Sequence, residues 1–467
     1  MKTTFILSCF VATILIASAY ASDQPNIVVI LTDDQGYADF SYNPHHPKEV
    51  STPHMDALAR EGVFFSQAYI TGNVCSPTRA GLMLGQYQQR VGVYDAGTGG
   101  SGFDPTIPIF PAMLPDSYYA GAFGKWHLGL DDDYPELKWH PLSRGFDSFY
   151  GFMGRGAHDY FNLRSDTEGK FMHPMYRDKK RIHDKGYLTT RLSDEAVKFI
   201  HQRHEKPFFL YLAYNAVHAP AQAPEKDIKE YQDQFPGLSE KRAILMAMLE
   251  HLDNGVGNVV KALKETDTFD DTLLFFFTDN GGAGAMEADN TPLRGLKSQI
   301  YEGGHRTPFI VSWPDRFEGG RVIDNPIISL DVLPTVLDSI GQLKANNKFD
   351  GKSLLPLIEG KTKTHHTNLF WSEGGSTGEW AVRSGDYKLL AFKDKRELYN
   401  LAADPAESKD LISENPAKAR EIEKLYDQWL NQMAPPANGH AKRWGEAPAD
   451  NKNAKKRADR KAARAKK

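Results

Sequence analysis

Asn26-Ile27-Val28-Val29-Ile30-Leu31-Thr32-Asp33-Asp34-Gln35-Gly36 runs from an apolar segment straight into a pair of carboxylates. An Ile/Val/Leu run without strict alternation marks a strand buried on both faces, as in the middle of a sheet covered by helices. Pro207–Tyr214 (PFFLYLAY), Thr272–Thr278 (TLLFFFT) and Pro308–Trp313 (PFIVSW) share that character and are the other expected core strands. Helical periodicity separates them over Pro53–Glu61, Pro77–Leu84, Leu188–His201, Glu240–Lys264 and Leu333–Ile340, with Thr190 or Ser193 as candidate caps. Buried strands alternating with helices predict an α/β fold, a large central β-sheet sandwiched by helices.

Past Gly341 the rhythm changes. Short strands near Asn368–Trp371, Trp380–Arg383, Tyr387–Phe392 and Glu397–Asn400, then a helix across Ala417–Gln432, predict a smaller C-terminal antiparallel sheet plus helix. The expected division is a large unit over residues 22–345, a smaller α+β unit over 346–435 and a basic tail over 436–467. Such a length exceeds what one core usually holds. Residues 1–21 read as a signal peptide: Lys2, an apolar run from Phe5 to Ala17, then small residues to Ala21 suited to cleavage. That run is too short to span a bilayer, and no other approaches the roughly 20 residues required. A secreted or periplasmic protein without stable membrane insertion is expected. A lipoprotein acylated at Cys9 would need an exceptionally short leader.

Hydrophobic residues at 40% and aromatics at 11% suit a globular enzyme. The net charge of −4 conceals an asymmetry, because residues 451–467 carry nine Lys/Arg against Asp459, leaving −12 for the rest. That Ala/Lys/Arg tail has no apolar face and predicts a solvated, disordered extension; a polyanion-binding arm is the alternative. A body of this sign excludes a nucleic-acid binder.

Asp33 and Asp34 stand at the carboxyl end of the first core strand, where open α/β sheets collect ligands. Thr278-Asp279-Asn280-Gly281-Gly282 ends another core strand in the same way. Three carboxylates and an amide oxygen, with no His or Cys beside them, make a hard oxygen set that selects Ca²⁺ or Mg²⁺ over zinc. Either pair alone is also what a strand-end turn capping a helix looks like; two such pairs in one chain argue against that. Cys75, in Cys75-Ser76-Pro77-Thr78-Arg79, is the only cysteine left once a leader containing Cys9 is removed. It is a buried bystander, an intermolecular partner, or a residue whose chemistry is used. In Gly124–Gly129 (GKWHLG), Lys125 and His127 are two apart, which on an extended segment directs both to one pocket. His218 follows a core strand in YNAVHAP, and Arg294 and Lys297 lie in PLRGLK. Singly these also read as a satisfied core histidine and a solvated basic face. Together they place cations where an anion binds.

The order and spacing of the acidic pair, C-x-P-x-R, GKWHLG, YNAVHAP, FTDNGG, PLRGLKSQIYEGGHRTP and the C-terminal run Asp386-Tyr387-Lys388-Leu389, Glu397-Leu398-Tyr399-Asn400 and Asp404-Pro405 resemble the type I sulfatases of the alkaline phosphatase superfamily. That resemblance implies a mixed, alkaline phosphatase-like central sheet. It implies Asp33, Asp34, Asp279 and Asn280 as ligands of one calcium ion, with Cys75, oxidised to formylglycine (3-oxoalanine), beside the metal. Arg79, Lys125 and His127 would surround Cys75, while His218 and Lys297 face the sulfate ester. Arg294 is a further candidate for binding substrate, read from the cationic cluster and not from the resemblance. A formylglycine-generating or anaerobic sulfatase-maturing enzyme is the implied partner.

A sulfate ester resists hydrolysis because the nucleophile approaches an anion and the alkoxide leaves poorly. Calcium, Lys125 and Lys297 would neutralise the sulfonate oxygens, helped by the positive helix end near Pro77. A hydrated aldehyde at position 75, held by the metal and Arg79, would offer the attacking hydroxyl. His218 or Lys297 would protonate the departing alcohol, and His127 would act as base when the second hydroxyl re-forms the carbonyl and expels sulfate. The resemblance extends to sulfatases of sulfated sugars, including the N-acetylgalactosamine 4-sulfatase group, so a sulfated polysaccharide or glycosaminoglycan-type oligosaccharide is the expected substrate. The segment Gly151–Lys185 reads either as its sugar-recognition loop or as an irregular surface loop. The competing readings are a phosphonate or phosphate monoester hydrolase of the same superfamily and a non-catalytic polyanion-binding protein.

Overall fold

The structure, a computed structural model, describes residues 24–154, 156–164, 171–202, 207–373 and 378–437. The expected signal peptide with Cys9, the tail from residue 438 onward and parts of the 151–185 loop lie outside the described residues.

In chain order the first strands are β1 (Asn26–Thr32), β2 (Val63–Phe65), β3 (Ala68–Tyr69), β4 (Tyr119–Lys125), β5 (Ser148–Phe152), β6 (Met175–Arg177), β7 (Lys180–Ile182), β8 (Phe208–Ala213), β9 (Thr272–Thr278), β10 (Phe309–Ser312), β11 (Arg321–Ile323) and β12 (Ile327–Ile328). Ten form one sheet in the order β11-β2-β10-β9-β1-β8-β4-β5-β6-β7, while β3 pairs with β12. The centre, β9-β1-β8-β4-β5, is parallel, and antiparallel β10 and β6 flank it. The sheet is therefore mixed.

The helices of this unit are α1 (Pro53–Glu61), α2 (Cys75–Leu84), α3 (Ala96–Gly100), α4 (Leu188–Gln202), α5 (Glu225–Gln234), α6 (Glu240–Glu265), α7 (Glu302–His305), α8 (Val332–Ser339) and α9 (Leu355–Ile358). Val28 and Ile30 of β1 and Leu274 and Phe276 of β9 face one apolar cluster with α1, α4 and α6; Ile27, Val29, Leu31, Phe275 and Phe277 face another with α2 and α8. Both faces being covered explains why these strands do not alternate.

The four expected core strands form. β4 was not foreseen, because glycines stand where branched residues would advertise a strand. A Cβ on Gly121 would meet the Phe199 ring at 2.7 Å, and one on Gly124, at φ +107°, would meet the Ala213 carbonyl oxygen at 1.9 Å. The tight neighbours dictate the sequence. Helix α5 was likewise missed. Neither Thr190 nor Ser193 caps α4: both lie inside it, and Ser193 Oγ donates to the Thr189 carbonyl at 2.9 Å. Helix α2 begins two residues before Pro77, at Cys75 itself.

After residue 345, β13 (Asn368–Ser372), β14 (Trp380–Ser384), β15 (Tyr387–Phe392) and β16 (Lys395–Asn400) form an antiparallel meander, against which α10 (Pro416–Leu430) packs Ile422, Tyr426 and Trp429. Tyr69 and Ile328 of the β3-β12 pair join this cluster, so the smaller sheet is seated on the large unit through shared core. Among the described residues no helix is long and apolar enough to cross a membrane.

Candidate active site

The site forms at the carboxyl edge of the adjacent parallel strands β9, β1, β8 and β4. Register pairs Thr32 with Thr278, so Asp33 and Asp34 leave β1 beside Asp279 and Asn280 leaving β9. Asp34 takes φ +61°, a left-handed conformation that Asp tolerates and that breaks strand alternation. Ligand-capable atoms of Asp33, Asp34, Cys75 and His218 all lie within 4.8 Å of one another.

Cys75 is the first residue of α2, a helix buried along its whole length, with Pro77 in the first turn where no N–H is needed. Its Sγ lies 3.4 Å from Asp33 Oδ1 and 3.4 Å from Lys297 Nζ. Burial opposes ionisation of this thiol, but Lys125 and Lys297 overrule it and hold the group at about 6. One turn on, Arg79 donates from Nε to Asp279 Oδ2 at 2.8 Å and from Nη1 to the Lys125 carbonyl at 2.7 Å, and its Nη2 stands 3.5 Å from Asp33. Lys125 Nζ pairs with the same Asp33 oxygen.

The donor set fits a hard cation. Asp279 Oδ1 and Asn280 Oδ1 are buried without a hydrogen-bond donor among the described residues, while Asn280 Nδ2 is spent on Asp34 Oδ1 at 2.7 Å. Orphaned buried acceptors cost about 1–3 kcal/mol each, which a cation would remove. The crowding of anions appears in their titration. Burial, then Asp33, pushes Asp279 up to about 6, whereas His218 and Lys297 overcome burial and hold Asp34 well below the carboxylate range.

The two histidines sit in opposite electrostatic settings. His127 does not ride an extended segment beside Lys125, as its spacing suggested. The strand ends at Lys125, and His127 enters at φ +56° with its N–H on the Met153 carbonyl at 3.1 Å. Burial, then Lys125 and Arg79, depresses its pKa, leaving a neutral imidazole whose Nδ1 has no hydrogen-bond partner among the described residues. His218 follows β8, with Nδ1 2.8 Å from the Ala219 carbonyl and Nε2 3.6 Å from Asp34 Oδ2. Burial lowers its pKa, but Asp34 and Asp33 outweigh that and raise it to about 9. One imidazole is poised to accept a proton and the other to donate one.

Lys297 Nζ is 2.5 Å from Asp34 Oδ1. Arg294 does not join it. Its Nη1 donates to Tyr399 Oη and to the Glu407 carbonyl, both at 3.0 Å, and its guanidinium stacks 4.0 Å from the Tyr301 ring centroid. Arg294 braces the loop carrying Lys297 against the smaller sheet instead of facing the cavity.

That cavity, about 540 Å³, is lined by Cys75, His127, His218 and Lys297, with Gly97 and Gly100 of α3 and Phe171 among its walls. Sequence reading missed the α3 wall, though the run Ala96–Gly102 (AGTGGSG) was a signal: a Cβ on Gly100 would press on His127 at 3.0 Å.

Comparisons with known proteins show the family to which the chain belongs. The sulfatase family model matches residues 25–342, and the model for the C-terminal part of N-sulphoglucosamine sulphohydrolase matches 296–434. The chain belongs to the sulfatase family, sulfuric ester hydrolases of the alkaline phosphatase-like superfamily. It is 31% identical to arylsulfatase A of Bos taurus over 88% of this chain and 83% of that one, and 28% identical to the uncharacterized sulfatase YdeN of Escherichia coli strain K12 over 88% and 86%. The crystal structure of Ps i-CgsB in complex with k-i-k-neocarrahexaose matches with a TM-score of 0.82 at 32% identity, covering 89% of this chain and 95% of that one.

Proposed function

We propose that this sulfatase hydrolyses sulfate esters of a sulfated polysaccharide or oligosaccharide, using a formylglycine made from Cys75 and one calcium ion held by Asp33, Asp34, Asp279 and Asn280. The observation that carries the proposal is the setting of Cys75: a buried helix N-terminus, between Asp33 and Lys297, in the cavity that also holds His127 and His218. Calcium, when bound, supplies positive charge beside the sulfate, and the aldehyde supplies, as its hydrate, the nucleophilic hydroxyl. The chain does the rest. Lys125 and Lys297 bring cations to the sulfonate oxygens, Arg79 holds Asp279 and Asp33 in place, protonated His218 donates to the departing alcohol, and neutral His127 accepts a proton during sulfate release. Support for a carbohydrate comes from the similarity to Ps i-CgsB, crystallised with k-i-k-neocarrahexaose, and from an open cavity walled by glycines and Phe171, which suits a sugar ring. The proposal includes export by the leader at residues 1–21 and maturation by a formylglycine-generating or anaerobic sulfatase-maturing enzyme.

The test is the mass of the peptide containing Cys75, together with turnover of sulfated oligosaccharides and of matched aryl sulfate and phosphate esters. A formylglycine mass and sulfate release are expected, with Cys75→Ala folded and inactive. An unmodified cysteine in fully active enzyme would end the formylglycine mechanism, and a preference for the phosphate ester would favour the monoesterase reading.

A further inference from the structure

A second group of converging donors lies away from this cavity, at the join between the two units. Asp331 leads into α8, and His365 and His366 precede β13. His365 Nε2 is 3.1 Å from Asp331 Oδ2 and His366 Nε2 is 2.8 Å from Asp331 Oδ1. One atom from each of the three side chains lies within a 4.8 Å cluster. The side chains are buried, 0% exposed for Asp331, 3% for His365 and 6% for His366.

Consecutive residues on an extended segment point to opposite sides. Here the two rings instead stand 4.5 Å apart at 84° and turn the same nitrogen onto one carboxylate. Among the described residues no lysine or arginine forms an ion pair with Asp331: the nearby Lys352 ammonium donates instead to the His365 carbonyl at 2.7 Å. The remaining donors to Asp331 are the backbone N–H groups of Ile328 at 2.9 Å and Lys352 at 2.8 Å, one on each carboxylate oxygen, which orient the carboxylate and leave it further lone pairs. A buried carboxylate without a charged lysine or arginine partner calls for a cation or for imidazolium.

We propose that Asp331, His365 and His366 form a zinc site that ties the linker before β13 to the large unit. Two imidazole nitrogens and one carboxylate oxygen suit a borderline-soft divalent ion, in contrast to the all-oxygen set of Asp33, Asp34, Asp279 and Asn280. Binding requires a free lone pair on each Nε2, so both rings take the Nδ1–H tautomer and exchange their hydrogen bonds to Asp331 for ligation.

The experiment uses full-length protein held in excess calcium, so that the oxygen cluster is filled, and titrates it with zinc sulfate. Bound zinc is counted by elemental analysis after gel filtration. One zinc per chain is expected, with affinity at least about tenfold weaker in His365→Gln and in His366→Gln. Asp279→Ala should keep this zinc, which separates the site from the catalytic cavity. Zinc should raise the melting temperature of the parent and of Asp279→Ala but not of the two histidine variants. Equal zinc uptake by parent and histidine variants, or none by the parent, overturns the proposal and leaves a hydrogen-bonded triad. Should the variants fail to fold, cobalt(II) bound to the parent decides: strong visible bands of a low-coordinate nitrogen site support it, and a weak octahedral spectrum overturns it.

Discussion

Arg79 Nη2 lies 2.7 Å from Asp279 Oδ2, with both side chains wholly buried. The two residues are 200 positions apart, and the contact locks the first turns of α2 to the end of β9. Because Arg79 engages only one oxygen of Asp279, Oδ1 stays without a donor among the described residues. Removing the guanidinium leaves a buried carboxylate uncompensated, a loss of about 3–5 kcal/mol. Arg79→Ala should show that loss in urea unfolding and have no turnover. Arg79→Lys should recover part of the stability but little activity, since a point charge cannot bridge Asp279, Asp33 and the Lys125 carbonyl together. An Arg79→Ala protein as stable as the parent would contradict this.

Calcium removal and Asp279→Ala are expected to coincide in effect. Chelation should abolish turnover and lower the melting temperature, calcium should restore both, and Asp279→Ala should be unresponsive to added calcium. Calorimetry across a calcium series is the check. A melting temperature and rate that ignore exhaustive chelation would exclude the oxygen-ligand site.

His218, held protonated by Asp34 and Asp33, is expected to matter in proportion to how badly the leaving group needs a proton. His218→Ala should reduce turnover of alkyl sulfates much more than of aryl sulfates, whose phenoxides, of pKa about 7–10, depart unaided. Equal losses on both substrates would remove His218 from acid catalysis.

Helix α7, which follows the loop bearing Lys297, is held by Lys388 of β15 and by Glu407 in the loop after β16. Lys388 Nζ lies 2.9 Å from Glu302 and 3.1 Å from Glu407, and Glu407 also accepts the Glu302 N–H at 2.7 Å. Burial, opposed by Lys388 and reinforced by Glu302, lifts the Glu407 carboxyl to about 7. A folded-state value above the ordinary 4.5 means the folded protein holds this proton more tightly. The resulting stability is complete below about 4.5 and is lost as pH rises through about 7. The stability difference between parent and Glu407→Gln should therefore change across that window and be flat on either side. Melting temperatures from pH 4 to 8 test it, and a constant difference would contradict the shift.

Much of this was legible in the chain. β1, β8, β9 and β10 were readable because an unbroken apolar run records burial on both faces, whatever surrounds it. Asp33, Asp34, Asp279 and Asn280 were readable as acidic motifs at strand ends. β4 was not, because its glycines answer to Phe199 and to the Ala213 carbonyl, residues far along the chain. Arg294 was misread for the same kind of reason: its basic neighbourhood is local, but its partners, Tyr399 of β16 and Glu407 in the loop that follows, lie more than 100 residues along the chain.

By itself, then, the sequence determined which segments are buried, where strands end in carboxylates, and that Arg79 follows Cys75 by one helical turn. Tertiary structure alone decided that Asp33 and Asp279 become neighbours through the β1-β9 register, that His127 reaches the cavity through a left-handed turn, and that His127 is neutral while His218 is charged. The physical reason is range. Apolar burial and backbone propensity are written in neighbouring residues, whereas proximity of charges and exclusion of water exist only after distant segments have packed.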